Sequence, residues 1–269
     1  MRITQLLQQT EREVSAAHET AGHQYLLRGG YVRPLAAGIF SYLHLGQRVL
    51  QRIKLLLREE MDRLGGEEIS MPLIHPAALW RQSGRWDDID AELGRFRDRS
   101  GREMVLALSH EEVVATLAAQ AVQSYRQLPR LVYQIQLKWR DDARPRAGLI
   151  RTREFTMLDS YSLDRDESGL DKQYQAHFTA YERIFARAGL PVISVEGDVG
   201  MMGGSLAHEF MYLTPIGEDT LLLCAQCGYR ANRQVARFQK GKATADVRRW
   251  RMIAGGPPCS GRRSLPRWS

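Results

Sequence analysis

Apolar and polar positions alternate along this chain in several distinct rhythms. Between Gly46 and Leu64, the residues Val49, Leu50, Ile53, Leu56, Leu57, Met61 and Leu64 recur at helical spacing with Arg and Glu between them. That spacing predicts an amphipathic helix, stopped by Gly65-Gly66. Glu67 to Leu73 then reads as a short strand, and Pro72, which has no N–H to donate, places it at an edge or end. Ser109 is a candidate N-cap, with Glu111 and Glu112 in the first turn of a helix buried through Val113, Val114, Leu117, Ala121, Val122 and Tyr125. The cleanest period of two is Leu131, Tyr133, Ile135, Leu137 and Trp139 against Val132, Gln134, Gln136 and Lys138, a strand with one buried face. A polar loop, Arg140 to Ile150, leads to a returning strand, Arg151 to Ser162, so the pair is expected to be antiparallel. A further amphipathic helix carries Leu170, Tyr174, Phe178, Tyr181, Ile184, Phe185 and Ala188 and is closed by Gly189. Short strands are expected at Val192 to Val195, Phe210 to Leu213 and Thr220 to Leu223. Helices interspersed with antiparallel strands predict an α+β domain.

From about Gly241 the rhythm is lost. Gly241 to Ser269 is rich in Arg, Gly, Pro and Ser and reads as a disordered or aberrant tail. The expected organisation is therefore a domain over 1–236 and a tail over 237–269.

Composition changes this picture little. The chain has 269 residues, 43% hydrophobic and 26% charged, the proportions of an ordinary globule. No stretch approaches the roughly 20 apolar residues that span a bilayer, so no membrane association is expected. Glu11, Glu13 and Glu19 interrupt the N-terminal segment, which resembles neither a secretory signal nor a transit peptide. The net charge of +7 fits a phosphate-bearing partner, although a coding bias toward arginine would give the same sum. Three cysteines, two of them in Cys224-Ala225-Gln226-Cys227, argue for a reducing cytoplasm over a disulfide framework. That segment has the form of a zinc knuckle, but a tetrahedral site needs four ligands. Cys259 falls in the tail and the seven histidines offer no matching pair, so metal-free thiols are expected and zinc is not.

Candidate chemistry concentrates in Trp139-Arg140-Asp141-Asp142, the following loop, and Arg151-Thr152-Arg153-Glu154-Phe155-Thr156-Met157-Leu158-Asp159. An arginine at the exit of a buried strand can hold a phosphate and a carboxylate bidentately, and an aromatic ring on the return strand can stack on a base. Taken alone, an arginine-rich loop is more often a solvated surface. This pattern, however, resembles motif 2 of class II aminoacyl-tRNA synthetases, with Arg140, Arg151, Phe155 and Asp159 on its positions. The likeness narrows to bacterial-type prolyl-tRNA synthetases through Arg28-Gly29-Gly30-Tyr31-Val32-Arg33, Gly46 through Trp80 with Pro72 at the motif 1 proline, Ser109-His110-Glu111-Glu112, Gln127-Leu128-Pro129, Gly203-Gly204-Ser205-Leu206-Ala207-His208-Glu209-Phe210 and Gly228-Tyr229-Arg230-Ala231-Asn232. It covers about Met1 to Ala236.

The resemblance implies a class II antiparallel sheet flanked by helices, incomplete at the C-terminus, in a homodimer paired through Gly46 to Pro72. It implies ATP-dependent activation of proline and its transfer to tRNA(Pro). Arg140 would be catalytic, bridging the proline carboxylate and the α-phosphate. Ser109, Glu111, Arg140 and His208 would bind proline, and Arg140, Asp142, Arg151 and Phe155 would bind ATP, with Mg2+ accompanying the nucleotide. Glu209 is a candidate magnesium contact, but one carboxylate does not make a site and no metal site is assigned. Read from the residues alone, Ser109 is a plain N-cap, Glu111 a dipole-favoured acid, and His208-Glu209 the arm of a glycine hairpin.

The chain departs from the family at Ser109 for Thr, Asp142 for Glu, Ala207 for Ser and Leu108 for Pro. No Gly-rich strand followed by an arginine, as in motif 3, occurs after Ala236. Expected on that ground is a truncated ligase with little activity alone. The alternatives are a non-catalytic paralogue that binds proline or an adenylate or serves as a partner subunit, and a basic RNA-binding protein outside the family.

Overall fold

The computed structural model describes residues 5–7, 10–13, 20–200, 203–215 and 217–237. All of the expected tail except Arg237 lies outside them. The chain divides into two compact units, Met1–Ala180 and Tyr181–Ser269.

The first unit opens with α1 (Ala21–Arg28), capped by the Thr20 side chain, which accepts from the His23 N–H. The hairpin β1 (Val32–Ala36) and β2 (Ile39–Tyr42) follows. Next comes α2 (His44–Arg63), two residues ahead of its expected start, with Met61 buried beneath its last turn. Gly65, at φ 77, supplies the left-handed conformation that ends it.

The strand expected over Glu67 to Leu73 shrinks to β3 (Glu67–Glu68). The cause is side-chain competition for the backbone. Met71 N–H donates to Gln134 Oε1 at 3.1 Å, and Met71 O accepts from Gln136 Nε2 at 2.9 Å, so glutamines replace the ladder. Beyond it β4 (Ile74–Pro76), α3 (Ala77–Gln82), α4 (Arg85–Asp88), β5 (Gly94–Arg97) and β6 (Glu103–Leu106) form a small antiparallel sheet, ordered β4-β6-β5, with its two helices. Ala77, Trp80, Ile89, Leu93, Val105 and Leu108 make a continuous core there.

The helix expected from Ser109 is α5 (Glu111–Ala121), and its N-cap is His110, which makes no side-chain capping bond. It stops before Tyr125. Gln127 Oε1 accepts from the N–H groups of Gln123 and Ser124, at 2.7 and 2.9 Å, and draws the chain into a separate 3-10 turn, Tyr125–Gln127. Of the face expected to be buried, Val114 is covered, whereas Leu117 and Tyr125 are exposed.

The long pair is as expected. β7 (Arg130–Trp139) and β8 (Glu154–Leu163) run antiparallel in continuous register from Arg130↔Leu163 to Trp139↔Glu154, with β3 parallel on the far side of β7. β8 starts three residues later than expected because Arg151 bridges Arg146 and the Arg153 N–H donates to Gly38 O. The supposed polar face of β7 is not solvated: Gln134 and Lys138 are buried along with Leu131 and Tyr133.

The helix α6 (Glu167–Arg187) runs through the boundary at Ala180. Within the second unit, β9 (Val192–Glu196), β10 (His208–Tyr212), β11 (Leu221–Leu223) and β12 (Arg230–Asn232) form a sheet ordered β10-β9-β12-β11. Phe210 stacks on Tyr181 and Phe185, with centroids 5.3 and 5.5 Å apart, which fastens that sheet to the end of α6. No helix among the described residues is long and apolar enough to cross a membrane.

Candidate active site

Arg140 leaves β7 with its backbone N–H held by Arg153 O at 2.8 Å, so the two strands fix where its side chain begins. Its guanidinium carbon lies 5.3 Å from the Phe155 ring centroid, and Nη2 reaches Leu108 O at 3.5 Å. Nε is buried without a hydrogen-bond partner, and among the described residues Arg140 makes no ion pair. Burial lowers its pKa from the ordinary arginine value, partly offset by the acids Glu92 and Glu111. Arginine stays cationic all the same. A half-buried cation with donor capacity to spare is arranged to receive an anion.

Ser109 and Glu111 meet around a residue that sequence reasoning missed. Arg85 donates from Nη2 to Ser109 Oγ at 3.0 Å and from Nη1 to Glu111 Oε2 at 3.1 Å and Glu112 Oε1 at 2.9 Å. Its guanidinium lies 5.0 Å from the Trp80 ring centroid. Ser109 is therefore a hydrogen-bonding group of the loop and not the cap of α5. Glu112, with its side chain 3% exposed, is the structural partner of Arg85, whereas Glu111, at 40%, keeps the more open face. Nothing in Ser83-Gly84-Arg85-Trp86 marks Arg85 beforehand, since its partners lie 24 to 27 residues away.

Beneath this loop lies a buried polar cluster. Lys138 Nζ sits 2.8 Å from Asp159 Oδ1, and the other carboxylate oxygen accepts from Tyr161 OH at 2.6 Å and Gln134 Nε2 at 2.9 Å. Lys138 also donates to His110 Nδ1. His110 Nε2–H donates to Pro72 O at 3.0 Å, and His75 Nε2–H to the same oxygen at 2.9 Å. Trp80 Nε1–H donates to His75 Nδ1 at 3.3 Å. These partners assign both tautomers. The carbonyl only accepts, and the ammonium and indole only donate, so each imidazole is neutral with its proton on Nε2. Burial, reinforced by the Lys138 charge, pulls the His110 pKa down to about 4, and burial likewise lowers that of His75. Lys138 itself is lowered by burial, against the pull of Asp159. This cluster ties the Pro72 segment, the Ser109–Glu111 loop and both long strands together. Its sequence signal was slight: a lysine and a glutamine in the polar phase of a strand.

Asp142 and Arg151 are brought together, but with each other. Arg151 Nε donates to Asp142 Oδ2 at 2.6 Å, and the Arg144 N–H donates to Oδ1 at 2.7 Å. That backbone bond, together with Arg151, holds the Asp142 carboxyl below its usual range. His208 and Glu209 belong to the second unit. They sit on β10 opposite Glu196 and Val195, and Glu209 Oε2 accepts from Asn232 Nδ2 at 3.2 Å. Among the described residues no group of three or more His, Cys, Asp or Glu side chains is placed to hold a metal ion.

Residues 95–262 match the family described as the tRNA synthetase class II core domain (G, H, P, S and T). The chain belongs to this family. It is 52% identical over 254 residues to a proline--tRNA ligase of Salinispora tropica, covering 94% of this chain and 42% of that protein. It is also 52% identical over 239 residues to one from Thermodesulfovibrio yellowstonii, covering 89% and 42%. The chain thus spans about two-fifths of the length of these curated relatives. Among solved structures, Giardia lamblia prolyl-tRNA synthetase in complex with prolyl-adenylate aligns with a TM-score of 0.64 at 18% identity, over 69% of this chain and 39% of that one. That likeness confirms the class II α+β fold.

Proposed function

We propose that these residues serve a proline--tRNA ligase, which activates proline with ATP and transfers it to tRNA(Pro) in the cytoplasm. The observation that carries this reading is Arg140, a half-buried guanidinium with no ion pair among the described residues, flanked by the Phe155 ring and the Ser109–Glu111 loop. Activation brings two anions together, the proline carboxylate and the α-phosphate of ATP. Arg140 would screen their repulsion and stabilise charge on the phosphorus oxygens as the new bond forms. Phe155 would stack on the adenine. Ser109 and Glu111 would take the secondary ammonium of proline, with Arg85 holding both side chains in position.

Asp142 and Arg151 would turn from one another toward the nucleotide, an exchange made easier because the Arg151 side chain is 44% exposed. Mg2+ would accompany ATP, held mainly by phosphate oxygens. The catalytic domain is taken to span 1–236.

The test is proline-dependent pyrophosphate–ATP exchange, run beside calorimetric binding of a non-hydrolysable prolyl-adenylate analogue. The expected result is analogue binding that Arg140→Ala weakens by at least tenfold, with exchange lowered by the same substitution. Binding that is indifferent to Arg140→Ala would overturn the assignment.

A further inference from the structure

The β11–β12 hairpin is closed by Cys224-Ala225-Gln226-Cys227-Gly228-Tyr229, a segment the synthetase reading leaves without a task. Cys224 N–H donates to Tyr229 O at 2.8 Å, and Gly228 N–H donates to Cys224 O at 3.0 Å, so the loop is tied at its neck. Inside it the Cys227 N–H points at Cys224 Sγ, 3.5 Å away. Gly228, at φ 75, takes the left-handed conformation that folds the chain back toward β12. Cys224 is buried and Cys227 is exposed.

We infer that Cys224 and Cys227 form a redox-active dithiol that closes to an intramolecular disulfide under oxidising conditions. A turn of this size holds Cα atoms three residues apart within about 7 Å, the outer limit for a disulfide. Because Cys224 Sγ already lies over the Cys227 backbone nitrogen, a rotation of the Cys227 side chain closes the remaining gap. The split in exposure assigns the roles. Exposed Cys227, as thiolate, attacks a sulfur of glutathione disulfide, forming a mixed disulfide and releasing one glutathione thiolate. Buried Cys224, as thiolate, then attacks the Cys227 sulfur and releases the second. The net exchange is two protein thiols plus one glutathione disulfide giving one protein disulfide and two glutathiones. No second pair of ligands completes a tetrahedral metal site among the described residues, which favours sulfur–sulfur over metal chemistry.

The chain carries its own control. Trypsin should release Cys224 and Cys227 together in the peptide from Ala188 to Arg230, and Cys259 separately in Met252 to Arg262. The purified chain is equilibrated across glutathione/glutathione-disulfide ratios, trapped with N-ethylmaleimide, digested and weighed. The first peptide should lose both maleimide additions in one step and become lighter by two hydrogens, while Cys259 stops at a mixed disulfide with glutathione. In Cys224→Ser, Cys227 should also stop at the mixed disulfide. Independent, stepwise loss of the two additions in the unaltered chain would overturn the proposal. So would a stable glutathione adduct on Cys227 with Cys224 present. Protection of both thiols by Zn2+ without oxidant, reversed by a chelator, would replace it with a metal site.

Discussion

Replacing Lys138 by Met tests the buried cluster beneath the candidate site most directly. The lysine is fully buried and its Nζ is 2.8 Å from Asp159 Oδ1. At an effective dielectric of roughly 20, that separation corresponds to about 6 kcal/mol of attraction, most of which is offset by the desolvation of both charges. Methionine fills nearly the same space but leaves the Asp159 carboxylate with only the Tyr161 hydroxyl and the Gln134 amide as donors. Stranding one member of a buried pair costs about 3–5 kcal/mol, a large share of the roughly 5–15 kcal/mol that holds a domain together. Adding Asp159→Asn removes the stranded charge, so the double variant should recover to within about 2 kcal/mol of the parent, since neutral replacement of a whole buried pair is often tolerated. Urea denaturation followed by circular dichroism reads both numbers from the shift in midpoint at constant slope. A loss below about 1 kcal/mol in the single variant, or a double variant no more stable than the single, would refute the charge-pair account.

Stability should fall on acidification as the buried imidazoles are forced to charge. With His110 near 4 in the fold and about 6.5 unfolded, the unfolded chain binds more protons between those values, so stability is full above about pH 6.5 and is lost as pH falls toward 4, by about 2 kcal/mol at pH 5. Urea midpoints at pH 7.5 and 5 that coincide would contradict this, and His110→Gln should flatten the difference. Gly46→Ala, which in an open helix stabilises by up to about 1 kcal/mol, should here destabilise by about 1–3 kcal/mol, because the added methyl would lie 2.2 Å from Tyr31 O. A rise in melting temperature would show that the contact yields. Val49, Ile53 and Leu55 remain exposed on α2, and a homodimer covering them is expected. Sedimentation should give a dimer at micromolar concentration that Ile53→Glu dissociates, and a monomeric parent chain would remove that expectation.

The elements legible in the sequence were those whose burial is one-sided and local. α2, α6 and the β7–β8 pair all declare themselves by period. What could not be read was set by distant partners. Glutamines on β7 take the backbone of Met71 and end β3 after two residues, and Gln127 reaches back to end α5 before Tyr125. β12 is three residues long and too short to show any period. At the candidate site, motif likeness singled out Arg140, Ser109, Glu111 and Phe155, which the fold sets beside one another in two pairs, Arg140 with Phe155 and Ser109 with Glu111. It overlooked Arg85 and Lys138, whose importance comes from being buried against opposite charge, a circumstance no local pattern encodes.

The carbonyl of Pro72 gives the cluster an uneven tolerance to sequence drift. One oxygen receives both imidazoles, and its two lone pairs allow either bond to vanish without leaving an unsatisfied acceptor. The carbonyl belongs to the main chain, so no codon change at position 72 deletes it, although the proline ring fixes the torsion that aims it. Losing His75 is therefore felt at the buried Trp80 indole, left without its acceptor, and losing His110 at the Lys138 ammonium. In a saturation library of this region, positions 75 and 80 should covary as one pair and 110 and 138 as another, with position 72 as their silent hinge.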